Sequence, residues 1–159
     1  MGQTAHLALA FDPADQAKVV AMLNDDESDV GDIDCIRSQP DFDLWREDNY
    51  EMHRVLEVLA EGNPELVALG TIVHGSQPVA EAGMGIQYFY SAEVLRIMAE
   101  AYSHVTSDAL VAAIDRIRPE FDPRSFECMP AIILEKFAVI RHELSVVADK
   151  GWAMIAGMF

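Results

Sequence analysis

The strongest constraint on the fold is a helical pattern near the carboxyl end of the chain. Apolar residues recur there at alternating steps of four and three, beginning at Ile133 and ending at Val147. This spacing places them on one face of an α-helix, which must pack against an apolar surface. Pro130 is expected to break or kink that helix near its start, and Gly151 suits the position just past its end. Residues 152–159 are apolar on both faces, which predicts a final strand inside a sheet.

The start of the chain predicts a second interior strand. Residues 5–11 are apolar on both faces of an extended chain, apart from His6. Interior strands show this pattern because both of their faces pack against other elements. Asp12 and Pro13 then favour the start of a helix, since Asp accepts hydrogen bonds from backbone N–H groups and Pro has no N–H to leave unpaired.

Further elements are predicted between these two ends. A helix is expected over residues 42–59 and a strand over residues 86–90, by apolar spacing and by aromatic and β-branched content. Ser91 is the expected cap of a following helix, and Thr106 or Ser107 caps the next one. The inner face of the helix after Ser91 is predicted to carry Val94, Ile97, Met98 and Ala101. Strands and helices in this arrangement predict an α+β domain.

Neither the glycines nor the cysteines form a cofactor motif. Gly83 and Gly85 lack the third glycine of a dinucleotide fingerprint, and they precede a strand instead of following one. Cys35 and Cys128 are far apart and form no C-x-x-C pair, so zinc and thioredoxin-like spacings are absent. Each cysteine is expected to be a small buried residue. The sequence therefore predicts no metal site and no cofactor.

The charge balance indicates which classes of partner would be repelled by the chain and which would be attracted to it. The chain has 27 acidic and 11 basic residues among 159, a formal net charge of −16. Nucleic acid and anionic membrane surfaces would repel such a chain, whereas a basic protein would be attracted to it. The alternative is that the charge only keeps the protein soluble.

The charge is concentrated in residues 25–51, here called the acidic segment. This segment has eleven acidic residues and only two basic ones, and it also contains Trp45 and Tyr50. Aromatic side chains ringed by carboxylates are typical of a protein-binding hot spot. The predicted contact residues are Asp41, Asp43, Trp45, Glu47, Asp48 and Tyr50. A purely structural explanation exists too, because carboxylates near a helix amino terminus stabilise the helix dipole.

The acidic segment does not match a calcium-binding loop. A loop beginning at Asp25 would have Val30 where glycine is needed and Ile36 where a bidentate glutamate is needed. Residues 30–36 suit either a short strand or a packed loop, and the sequence leaves these two open.

Two other functions compete with protein binding. A small enzyme or ligand-binding protein would use His53, His74 and Glu81 as a pocket near the glycine stretch 81–91. A general base needs the right geometry before anything else, and sequence does not supply it. The third possibility is a structural subunit with no separate site. Because no catalytic constellation stands out, the sequence predicts a protein that is not an enzyme.

The amino terminus has no basic stretch followed by a long apolar core, so no signal peptide is expected. The apolar end at residues 152–159 is too short to span a bilayer. A cytoplasmic protein is the simplest expectation.

Several features of residues 66–159 resemble those of a bacterial family of unknown function, the YfbM-like proteins. In chain order they are Glu81-x-Gly83-x-Gly85, Tyr88-Phe89, the helix start at Ser91, Phe121-Asp122-Pro123, and a long helix through Phe137. The resemblance implies that residues 1–159 form one YfbM-like domain with a small mixed sheet and helices packed on it. It implies no catalytic residue.

Overall fold

A computed structural model describes the chain at residues 6–23, 35–38, 50–61, 78–82 and 85–158. The strands in these residues are β1 (His6–Phe11), β2 (Cys35–Ser38), β3 (Pro78–Ala82), β4 (Gly85–Tyr90) and β5 (Ala153–Met158). The α-helices are α1 (Gln16–Leu23), α2 (Tyr50–Ala60), α3 (Ala92–His104), α4 (Ser107–Ile117), α5 (Pro123–Phe126) and α6 (Met129–Asp149). The predicted α+β class is confirmed. No helix in the described residues combines the length and apolar character needed to cross a membrane.

The five strands form one sheet in the order β2-β1-β5-β4-β3. All four pairings between these strands are antiparallel, which corrects the mixed sheet that the resemblance implied. The reason lies in the helical connection between β4 and β5. Tyr90 at the end of β4 pairs with Met154 near the start of β5, so the helices leave the sheet and return to it at the same end. A parallel pair would need a crossover to the opposite end.

The last strand is interior, as its two apolar faces predicted. β5 pairs with β1 on one side and with β4 on the other. On one face of the sheet, Ile155 packs with Phe11 and with Val19 of α1. On the other face, Met154 packs with the core formed by the remaining helices. The sheet is therefore covered on both sides, and alternate residues of its central strands pack into the two cores.

Short polar side chains begin the helices where the sequence predicted them. Asp12 accepts a hydrogen bond from the Ala14 N–H and precedes a 3₁₀ turn at Pro13–Asp15 that leads into α1. The Ser91 hydroxyl accepts from the Val94 N–H at the start of α3, 3.2 Å away. Thr106, and not Ser107, caps α4 by accepting from the Ala109 N–H. Each cap satisfies a backbone donor that the helix itself leaves unpaired.

The long helix α6 forms much of the core on the helical side. Its buried residues are the five that the spacing predicted: Ile133, Phe137, Ile140, Leu144 and Val147. Pro130 lies in the first turn and does not interrupt the helix, because a proline there lacks only an N–H that has no partner in any case. Gly151 follows the helix with a φ of +67°, a backbone conformation that favours glycine.

Two details of burial differ from the predictions. Ile97 was placed on the inner face of α3, but its side chain is 43% exposed, and Leu95 and Tyr102 are buried instead. The inner face is thus rotated from the predicted one, because α3 must contact both the sheet and α6. Cys128 was expected to be buried and is exposed, since it lies in the turn just before α6.

Candidate functional site

The acidic segment runs from the end of α1 to the first turn of α2. β2 lies within it and forms one edge of the sheet, paired on its other side with β1. Of residues 30–36, Cys35 and Ile36 thus belong to a strand, and residues 30–34 lie outside the described residues. Tyr50 is the first residue of α2. The other predicted contact residues, Asp41, Asp43, Trp45, Glu47 and Asp48, lie outside the described residues, so their role in binding stays a prediction.

Two residues of the alternative ligand pocket lie on separate elements. His53 belongs to α2, and Glu81 belongs to β3, where it pairs with Ile86 of β4. His74 lies outside the described residues. β3 is the sheet edge opposite β2, and with β4 it forms a hairpin that the sequence did not predict as such. The convergence of these three residues on one pocket also stays a prediction.

Helix α2, which follows the acidic segment in the chain, is joined by a bidentate ion pair to the turn after α4. Arg54 of α2 donates from Nε and Nη2 to the two carboxylate oxygens of Glu120, at 2.9 and 2.8 Å. Its Nη1 also donates to Glu57. The hydrogen bonds that Arg54 donates to Glu120 and Glu57 raise the pKa of Arg54, and the hydrogen bonds that Glu120 accepts from Arg54 lower the pKa of Glu120. Two parallel N–H···O bonds fix orientation better than a single contact does.

Two arginines at the end of α4 and just after it also form ion pairs with carboxylates. Arg116 pairs with Glu61 at 2.6 Å, which is a second link between α4 and the end of α2. Arg118 pairs with Asp115 at 3.0 Å. Because these cations are neutralised locally, they contribute little positive potential with which to balance the acidic segment.

Comparison with known proteins supports the fold and is silent on the chemistry. The chain is similar to the crystal structure of YfbM from Escherichia coli, a protein of unknown function, with a TM-score of 0.61. The similarity covers 98% of this chain and 99% of that one, at 10% sequence identity. This chain has the YfbM-like fold. No protein-family model matches the sequence, and no curated protein matches it either.

The described part of this chain also contains a groove that the sequence did not reveal. It lies between α3 and α6, with a volume of about 680 Å³. Alanine and serine recur along both walls, and charged side chains surround them. The recurrence of small residues along α6 is visible in the sequence, but nothing there tells which helix faces them.

The part of the chain that the structure describes has no cluster of metal-binding side chains. There, no group of three or more His, Cys, Asp or Glu side chains is placed to hold a metal ion. Cys128 is a free thiol.

Proposed function

We propose that this chain is an acidic protein-binding module, an immunity- or antitoxin-type antagonist of a basic effector protein, acting in the cytoplasm. The acidic segment is the binding surface, with Trp45 and Tyr50 as aromatic anchors and the surrounding carboxylates as the charged rim. Such a surface speeds the encounter with a basic partner and orients it, while the anchors supply most of the affinity.

The observation that carries this proposal is the uneven distribution of charge. Eleven acidic and two basic residues give residues 25–51 a net charge of −9, which is more than half of the −16 of the whole chain. So dense a concentration of like charge costs folding free energy through self-repulsion. A basic partner would remove that cost on binding.

The ion pairs of three arginines also support the proposal. Arg54, Arg116 and Arg118 contact carboxylates of α2, α4 and the turn that follows α4. Those ion pairs neutralise these three arginines locally, so the arginines add little positive charge with which to balance the acidic segment. Among the described strands β2 is at the edge of the sheet, and an edge strand can pair with a partner on its outer side, which favours the same proposal.

The test is capture of partners from the cells that naturally make the protein. The immobilised wild-type chain and the double variant Glu47→Lys, Asp48→Lys are compared at low and high salt, and the retained proteins are identified by mass spectrometry. The wild type should retain a basic protein at low salt and release it at high salt, because screening weakens exposed charge pairs. The double variant should not retain that protein.

A matched variant controls for net charge alone. Glu127→Lys with Glu135→Lys changes the total charge by the same amount, at exposed positions within residues 92–149, here called the helical half. It should retain the partner as the wild type does. The proposal is wrong if no basic protein is retained at low salt, or if both double variants lose the partner equally.

A further inference from the structure

The groove between α3 and α6 exists because small side chains face each other there. Ala99 and Ser103 of α3 lie opposite Ala138, Ser145 and Ala148 of α6. Larger residues at these positions would fill the space, as they do in the core below. The volume of about 680 Å³ lies within the range of roughly 300–1,000 Å³ that is usual for small-molecule sites. The groove is therefore large enough for a metabolite-sized ligand.

The charges along the groove are polarised. Tyr90 pairs with Met154, so α3 begins at the end of the sheet where α6 finishes, and the two helices run antiparallel. Arg96 and Asp149 consequently lie towards the sheet, whereas Arg141 lies towards the far end. Glu100 lies between Arg96 and His104, with its carboxylate 3.8 Å from the guanidinium and 4.0 Å from the imidazole. Arg141 is the arginine that lines the far end of the groove.

Arg141 is held in a defined orientation. Its Nη2 donates to the Val105 carbonyl at 2.7 Å, and its guanidinium lies 5.0 Å from the centre of the Phe137 ring. Phe137 in turn stacks on Tyr102, with 4.9 Å between the ring centres. A side chain that is already ordered loses little conformational entropy when it binds a ligand. The Arg141 Nε is buried and has no acceptor within the described residues, so the contacts that orient the guanidinium are those to the Val105 carbonyl and to the Phe137 ring.

We propose that this groove binds a small organic anion. Arg141 contacts the acid group, and the neighbouring His142 adds a ring nitrogen as a further polar partner. The apolar part of the ligand lies along the alanines of the two walls. A carboxylate and a phosphate ester share this chemistry, because both present oxygens that match the planar guanidinium. The site is independent of the acidic segment and of the partner proposed for it.

The test is an NMR titration of the full chain, labelled with ¹⁵N, with four probes that share one ring system. The probes are 1-naphthoate, 1-naphthyl phosphate, the neutral 1-naphthol and the cationic 1-naphthylmethylamine. One or both acids should give saturable shifts of amides in α3 and α6, with a dissociation constant on the order of 1 mM, as expected for ligands of this size. The two acids distinguish a carboxylate site from a phosphate site.

Two variants and one control locate the site. Arg141→Gln should weaken binding about tenfold, the usual effect of losing a hydrogen bond to a charged group. Ala138→Met retains every charge but fills the groove, and should weaken binding of the acids to a similar degree. Arg124→Gln removes an exposed arginine from α5, outside the groove, and should leave binding unchanged.

Three results would overturn the proposal. The first is the absence of saturable shifts in α3 and α6 with either acid. The second is binding of the neutral or cationic probe as tight as that of the acids. The third is wild-type affinity in a folded Ala138→Met variant. This variant tests the groove even if Arg141→Gln does not fold.

Discussion

The acidic segment and the helical half of this protein differ most in how their charges are balanced. Residues 25–51 have eleven acidic and two basic residues, whereas residues 92–149 have ten acidic and six basic ones over about twice the length. In the helical half, carboxylates are interspersed with arginines and lie above a continuous apolar core. In the acidic segment, cations are too few for such pairing. Under the function proposed above, stability depends on residues 92–149 and partner recognition on the acidic segment.

If this division holds, the largest effect on stability comes from the core of the helical half. Phe137 is buried, stacks on Tyr102 and lies beneath Arg141. Phe137→Ala should lower the free energy of unfolding by about 3–5 kcal/mol, measured by urea denaturation, because it leaves a cavity and removes aromatic contacts. A loss below about 1 kcal/mol would mean that this packing is not central to the fold.

The next largest effect concerns binding and belongs to the acidic segment. Glu47→Lys with Asp48→Lys should weaken the affinity for the captured partner at least about tenfold, measured by calorimetry at low salt. The same double variant should change the free energy of unfolding by less than about 1 kcal/mol, since surface substitutions have small effects. A large loss of stability together with affinity would show that the two regions are not separable.

A smaller effect is expected at the junction between α6 and β5. Gly151 has a φ of +67°, and a Cβ added there would meet no atom within 4 Å. Gly151→Ala should therefore cost only the backbone strain, about 1–2 kcal/mol of unfolding free energy in urea denaturation. Gly151→Asn is the control and should cost less, because asparagine tolerates this conformation better. Equal losses for both variants would indicate a cause other than backbone strain.

The smallest effect is a pH dependence at the ion pair beside the acidic segment. The hydrogen bond from Arg54 lowers the pKa of Glu120, so the pair stabilises the folded state fully above the unfolded-state pKa of about 4.3. That stability is lost as the pH falls through the lower pKa of the folded state. Glu120→Gln should reduce the melting temperature slightly at pH 7 and not at the lowest pH at which the chain stays folded. A difference that is constant with pH would contradict the assignment.

The sequence predicted most of the helical half because local signals there are strong and consistent. Ser91 caps α3, the five spaced residues of α6 are buried, and Gly151 has a positive φ, all as expected. Each of these features depends on residues close in sequence, which is why one-dimensional patterns reveal them. Asp12 at the start of the chain follows the same rule.

Features that depend on distant partners were not predictable in the same way. The hydrogen bonds between Arg54 and Glu120 join residues 66 positions apart. The groove depends on α3 facing α6, and the exposure of Ile97 depends on how α3 is rotated between its neighbours. The antiparallel order of the sheet follows from where the helical connection returns. None of these arrangements has a signature in local spacing.

Hydrogen exchange of the complex with the captured basic partner, read by mass spectrometry, tests the division of roles most directly. Peptides from residues 25–51, including β2 and the start of α2, should exchange more slowly on binding. Peptides from residues 92–149 should exchange at unchanged rates. Protection confined to residues 92–149, with none in the acidic segment, would show that the partner does not bind through the acidic segment.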